Sequence, residues 1–177
     1  MDQNRRQILK AAVLAPVGLL LPWGSSLAGI RQRSLDFYHT HTGEKMSIVY
    51  HDGLDYIPDS LMSVTEYLKD FRTGESHNID SGLLDQLYML QQLTGSSGVF
   101  EVISGYRSPG TNARLRNNSQ GVAKRSLHMQ GKAIDTRLTG VSLGNLRKAA
   151  LAMKAGGVGF YGKSNFLHLD TGRFRTW

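Results

Sequence analysis

Short alternations of apolar and polar residues begin near Arg33. Arg33-Ser34-Leu35-Asp36-Phe37-Tyr38 and Glu44-Lys45-Met46-Ser47-Ile48-Val49-Tyr50 flank a turn holding Thr42-Gly43, the pattern of a β-hairpin. Asp52-Gly53 closes that unit. The period then changes. Leu61, Val64, Tyr67, Leu68 and Phe71 recur at helical spacing and predict a helix from Pro58 to Phe71, ended by Thr73-Gly74. Leu83, Leu84, Leu87, Leu90 and Leu93 predict a second helix, capped by Asp80 or Ser81 and stopped by Gly95-Ser96-Ser97-Gly98.

Val99-Phe100-Glu101-Val102-Ile103 reads as a strand running into Ser104-Gly105-Tyr106-Arg107. Residues 108–127 are polar, and only a short helix around Ala113–Asn117 is expected there, the rest being a loop over a site. A strand over Gly131–Leu138 follows, then a helix capped by Ser142 that reaches Met153 or Lys154 and ends at Gly156-Gly157. Val158–Tyr161 and Asn165–Asp170 pair as a final hairpin. Helices come early, short strands mostly later, and no regular β-α-β alternation appears. The expected fold is α+β, an antiparallel sheet flanked by helices.

Composition narrows the chemistry. The 177 residues suit a single domain, expected over 29–177, with an ordinary globular balance of 20% charged and 40% hydrophobic residues. There is no cysteine, so disulfides and thiolate chemistry are excluded and any metal must sit on His, Asp or Glu. The formal charge of +7 suits a polyanion such as nucleic acid, anionic lipid or an acidic wall polymer. No nucleic-acid module and no interleaving of aromatic and basic residues is present, so no nucleic-acid partner is expected.

The first 28 residues read as an address. A basic start, Asn4-Arg5-Arg6-Gln7-Ile8-Leu9-Lys10, precedes a mostly apolar run from Ala11 to Trp23, and Gly24-Ser25-Ser26-Leu27-Ala28-Gly29 supplies a small-x-small cleavage site. The run is broken by Pro16, Gly18 and Pro22 and is short of the roughly 20 apolar residues a bilayer span needs, so no stable anchor is expected after cleavage. Arg5-Arg6-x-Ile8-Leu9-Lys10 resembles a twin-arginine signal, with Asn4 where Ser or Thr is commoner. That resemblance implies the twin-arginine export machinery as a partner and a periplasmic destination; a plain Sec signal is the alternative.

Candidate chemistry gathers late in the chain. Side chains on a strand alternate faces, so Phe166, His168 and Asp170 share one face and Leu167 and Leu169 fill the core from the other. His128-x6-Asp135 puts an imidazole at a loop end and a carboxylate in a strand. If the two strands are neighbours, His128, Asp135 and His168 can meet, and two imidazoles with a carboxylate leave a fourth position open, as catalytic zinc sites do. The competing reading makes His128 a loop residue and Asp135 a surface carboxylate paired with Arg107 or Arg137.

Three blocks weigh against that alternative. Ser104-Gly105-Tyr106-Arg107-Ser108, Ser126-Leu127-His128-Met129-Gln130-Gly131-Lys132-Ala133-Ile134-Asp135 and Phe166-Leu167-His168-Leu169-Asp170 resemble, in order, blocks of the zinc D-Ala-D-Ala peptidases, a superfamily that includes lysostaphin-type enzymes and the hedgehog domain. The resemblance is closest to its cell-wall hydrolases and covers almost the whole chain. It includes the twin-arginine start, the His41-Thr42-Gly43-Glu44 turn and Val158-Gly159-Phe160-Tyr161. It implies one zinc per chain, held by His128, Asp135 and His168, and hydrolysis of peptide crosslinks in peptidoglycan stem peptides. Arg107 then falls on the family's arginine, which binds a substrate carboxylate or stabilises an oxyanion. Phe166 stands where many relatives carry a proton-transferring His or Glu. That leaves Asp170 as a general base or as the residue orienting His168.

Tyr106 and Tyr161 are expected to line the cleft, with packing as their alternative. His39 and His41 read as surface histidines of the first hairpin, and His51 and His77 have no motif around them. Two further functions compete with endopeptidase action. One is a carboxypeptidase removing terminal D-Ala. The other is a non-enzymatic wall-binding module with a structural zinc, as in the hedgehog domain.

Overall fold

The computed structural model describes residues 31–118 and 121–177. The signal expected over residues 1–28 lies outside them. Among the described residues no helix is long and apolar enough to cross a membrane.

Strand β1 (Arg33–His39) turns back through residues 40–44 into β2 (Lys45–His51), as the alternation predicts. The tight turn needs Gly43 at φ +76°, a left-handed conformation open to glycine without strain. Helix α1 (Pro58–Tyr67) starts on a proline, whose missing N–H costs nothing in the first turn. It stops four residues short of the predicted Phe71, because Leu68 leaves helical geometry and the chain turns at Asp70. Helix α2 (Ser81–Thr94) is capped by the Asp80 carboxylate, which accepts the Gly82 N–H, and ends on Gly95 at φ +63°. Leu83, Leu84, Leu87 and Leu90 are buried as expected. Leu93 is not: it sits four residues after Met89 on the neighbouring stripe, and both are exposed (53% and 47%).

Strand β3 (Phe100–Ser104) then returns beside β1 and runs parallel to it. The antiparallel sheet expected from the sequence is therefore corrected to a mixed one. A connection long enough to carry two helices brings the chain back in the same direction, which a tight hairpin cannot do. Helix α3 (Pro109–Asn118) is longer than the helix expected at Ala113–Asn117. A 3-10 turn (Leu127–Gln130) leads into β4 (Ala133–Leu138), α4 (Leu143–Met153), β5 (Gly157–Tyr161), β6 (Phe166–Asp170) and the two-residue β7 (Arg175–Thr176). The seven strands lie in the order β2-β1-β3-β4-β6-β5-β7. The α+β class stands.

One core joins the sheet to the helices. Leu35, Phe37, Phe100, Val102, Ile134, Leu167 and Leu169 from the strands pack with Val64, Leu83, Leu87, Leu90 and Leu146. Burial of this face sets the register of β4 and β6, and a one-residue slip would turn their leucines to the opposite, polar face. That register places Asp135 opposite His168.

Candidate metal centre

Three elements converge on one point. Strands β4 and β6 contribute Asp135 and His168 as a direct cross-strand pair. The 3-10 turn contributes His128, held by its own backbone: Gly131 ends the turn at φ +64°, and the Arg107 N–H donates to the His128 carbonyl at 3.2 Å. All three residues are at least nine-tenths buried.

Three donor atoms form a triangle. His128 Nε2 lies 3.2 Å from Asp135 Oδ1 and 3.2 Å from His168 Nδ1, and Asp135 Oδ1 lies 2.9 Å from His168 Nδ1. Tetrahedral ligands on an ion with bonds of about 2.0 Å would stand roughly 3.3 Å apart, so the triangle suits a single zinc-sized ion. The far nitrogen of each imidazole is engaged. His128 Nδ1 is 2.7 Å from the Gly105 carbonyl, and His168 Nε2 is 3.0 Å from Asp170 Oδ2. A carbonyl can only accept and a carboxylate prefers to, so each ring places an N–H there and turns its lone pair inward. Two lone pairs and a carboxylate oxygen then face one another in a buried space. Such a set could hold a metal ion between its members.

The titration behaviour carries the same tension. Burial pushes the His128 pKa down, with Asp135 opposing only in part. Burial acts on His168 in the same direction, but hydrogen bonds to Asp135 and Asp170 outweigh it and raise its pKa. Burial alone would raise Asp135; the adjacent histidines instead hold it well below the carboxylate range.

Arg107 and Asp170 support the triangle from outside. Arg107 is buried, and its Nη2 donates to Asp135 Oδ2 at 3.1 Å and to Ser104 Oγ at 3.3 Å. This is one of the two pairings that the competing reading of Asp135 anticipates, and it coexists with the triangle. Asp170 is fully buried. Its Oδ1 accepts from Gly157 N, Gly172 N and Arg175 Nη1 at 2.9–3.0 Å, and its Oδ2 accepts from Arg175 Nη2 at 2.7 Å and from His168. Against the cost of burial, these donors depress its pKa. Both oxygens are occupied.

A cleft of about 560 Å³ opens over the triangle. Arg107, Arg125, Arg175, Ser126, Tyr161, Phe166 and Trp177 line it with the three donors. Tyr161 is where the sequence expects it, stacked on Phe166 at 4.6 Å. Tyr106 is corrected: it lies in the hydrophobic core beneath His77, 5.5 Å between ring centres, and does not line this cleft. The reading of His39 as a surface residue is corrected too. It is 1% exposed, and its Nδ1 accepts the N–H groups of His41 and Thr42 to close the hairpin turn. Arg175 and Trp177 were absent from the sequence-level site. Arg175 opens a strand of two residues with no periodicity and Trp177 follows it, and only their proximity to Asp170 along the chain could have drawn attention to them.

The chain is similar to known proteins over nearly its whole length. Residues 28–177 match a family model described as peptidoglycan L,D-endopeptidase MepK. The peptidoglycan L,D-endopeptidase MepK of Escherichia coli (strain K12) is 44% identical over 178 residues, covering 99% of this chain and 98% of that protein. The probable peptidoglycan L,D-endopeptidase MepK of Haemophilus influenzae is 39% identical over 181 residues, covering 100% of this chain and 97% of that protein. No solved structure matches.

Proposed function

The chain belongs to the peptidoglycan L,D-endopeptidase MepK family, and we propose that it hydrolyses peptide crosslinks in peptidoglycan with one zinc ion held by His128 Nε2, Asp135 Oδ1 and His168 Nδ1. The observation that carries this reading is the inward-facing donor triangle, whose tautomers are set by Gly105 and Asp170. Two imidazoles and a carboxylate, with no cysteine in the chain, suit zinc. When bound there, zinc supplies a Lewis acid that polarises an amide carbonyl and makes water nucleophilic near neutral pH.

The protein's own groups do the rest. Asp170 keeps His168 in the ligating tautomer and does not carry protons, since both its oxygens are held by donors. Arg107 fixes the second oxygen of Asp135, and its cleft-facing edge binds a substrate carboxylate or developing oxyanion. The arginines at the cleft draw in acidic stem peptides. Arg5-Arg6 ahead of the apolar run supports export through the twin-arginine route to the periplasm, where this substrate lies.

Crosslinked muropeptides incubated with the protein, with and without chelator, test the function by mass spectrometry. Chelator-sensitive conversion of dimers to monomers is expected. Release of a terminal residue alone would make the chain a carboxypeptidase, and unchanged dimers would leave it a binding module.

A further inference from the structure

Trp177 is half-exposed but anchored by several contacts beside the third donor of the triangle. Its N–H donates to the Val158 carbonyl at 3.3 Å, and its own carbonyl accepts the Phe160 N–H at 3.0 Å. The Arg175 guanidinium lies 5.0 Å from its ring centre while also gripping Asp170. The indole stands 5.3 Å from the His168 ring. It covers Gly159, the cross-strand partner of His168, so closely that a Cβ there would lie 2.7–2.8 Å from three indole atoms.

The polar edge of this ring has one partner. Trp177 Nε1–H donates to the Tyr161 hydroxyl at 3.0 Å. Tyr161 is held independently, by its stack on Phe166. A phenolic hydrogen prefers the ring plane, on one side or the other of the oxygen. The indole donor occupies one side, so the hydrogen turns to the other. Among the described residues nothing accepts it. Both rings line the cleft over the donor triangle.

We propose that Trp177 is a positioning residue: its indole N–H orients the Tyr161 hydroxyl so that the phenolic hydrogen is offered to an acceptor on the substrate, a peptide carbonyl beside the scissile bond. This rests on the endopeptidase reading above. Loss of the donor from either partner removes the same interaction, so the two residues act as one unit.

A double-mutant cycle decides it. Trp177→Phe keeps an aromatic ring and removes the N–H; Tyr161→Phe removes the hydroxyl. On a soluble crosslinked muropeptide each is expected to raise KM about three- to tenfold, the range for one neutral hydrogen bond, with kcat changed less than about twofold. The double variant is expected to match Tyr161→Phe alone. Equal, multiplying effects of Trp177→Phe in both backgrounds would overturn the proposal, because Trp177 would then act by packing on His168. A drop confined to kcat, or no effect of either change, would also overturn it. If Trp177→Phe does not fold, Gly159→Ala displaces the indole instead and is judged by the same cycle. The Trp177 indole N–H resonance supplies a readout apart from turnover. It is expected to shift in Tyr161→Phe and when muropeptide is added to the wild type. An inactive wild type that still shows the ligand shift would contradict the endopeptidase reading and leave the subsite standing; an unmoved resonance in both cases would remove the subsite.

Discussion

Asp135 and His168 face each other across adjacent antiparallel strands, with Asp135 Oδ1 2.9 Å from His168 Nδ1. The pairing is a consequence of register. Ile134 and Leu169, the neighbouring pair, point to the opposite face and are buried in the core. Hydrophobic burial on one face of the sheet thus fixes a polar contact on the other, and Asp135 and His168 inherit the rigidity of the sheet.

Asp170→Asn separates orientation from proton transfer. The amide keeps the shape of the carboxylate but not its charge against Arg175 and His168. The expected outcome is a folded protein with zinc affinity weakened by about 10–100-fold and activity partly restored by excess metal. Normal zinc affinity with turnover lowered by about a hundredfold would instead make Asp170 the acid-base group.

Arg107→Lys keeps a charge and loses the planar fork that reaches Asp135 and Ser104. Turnover is expected to fall by about a hundredfold with zinc content near that of the wild type. Loss of zinc in step with activity would limit Arg107 to holding Asp135.

Asp70 links the first helix to the Arg107 loop, and its titration makes a prediction about stability. It is 1% exposed and accepts the N–H groups of Ser108 and Arg72. Burial raises its pKa, but the Thr111 hydroxyl together with Ser108 and Arg72 outweighs it, and the folded pKa lies below the ordinary value. Its stabilisation is therefore fully present above about pH 4 and is lost as pH falls through the folded pKa. Asp70→Asn is expected to cost about 1–3 kcal/mol in urea unfolding at neutral pH. The gap to wild type should narrow below about pH 4. A gap independent of pH would show that the carboxylate charge is not what matters.

Much of this was legible in the chain. Period-two alternation in β6 assigned His168 and Asp170 to one face, and the structure joins them at 3.0 Å. Alternation reports a face and not its depth, so Asp170 could not be told from a surface carboxylate. The parallel pairing of β1 with β3 left no local signal, because a long connection fixes direction only after the chain packs. Trp177 was invisible for a related reason: its role depends on Gly159 and Tyr161, which meet it only in the folded sheet.

Export is tested on the precursor. With Arg5 and Arg6 both changed to lysine, unprocessed chain is expected to accumulate in the cytoplasm. Unchanged periplasmic processing would point to the Sec route.

One donor triangle is proposed to hold one zinc ion, with crosslink cleavage dependent on it. Zinc content and muropeptide cleavage, measured on the same preparations of wild type, His128→Ala and His168→Ala, test it most directly. About one zinc per wild-type chain is expected. Both variants are expected to lose most zinc and cleavage. Full zinc content in both variants, or wild-type cleavage by either, would contradict it.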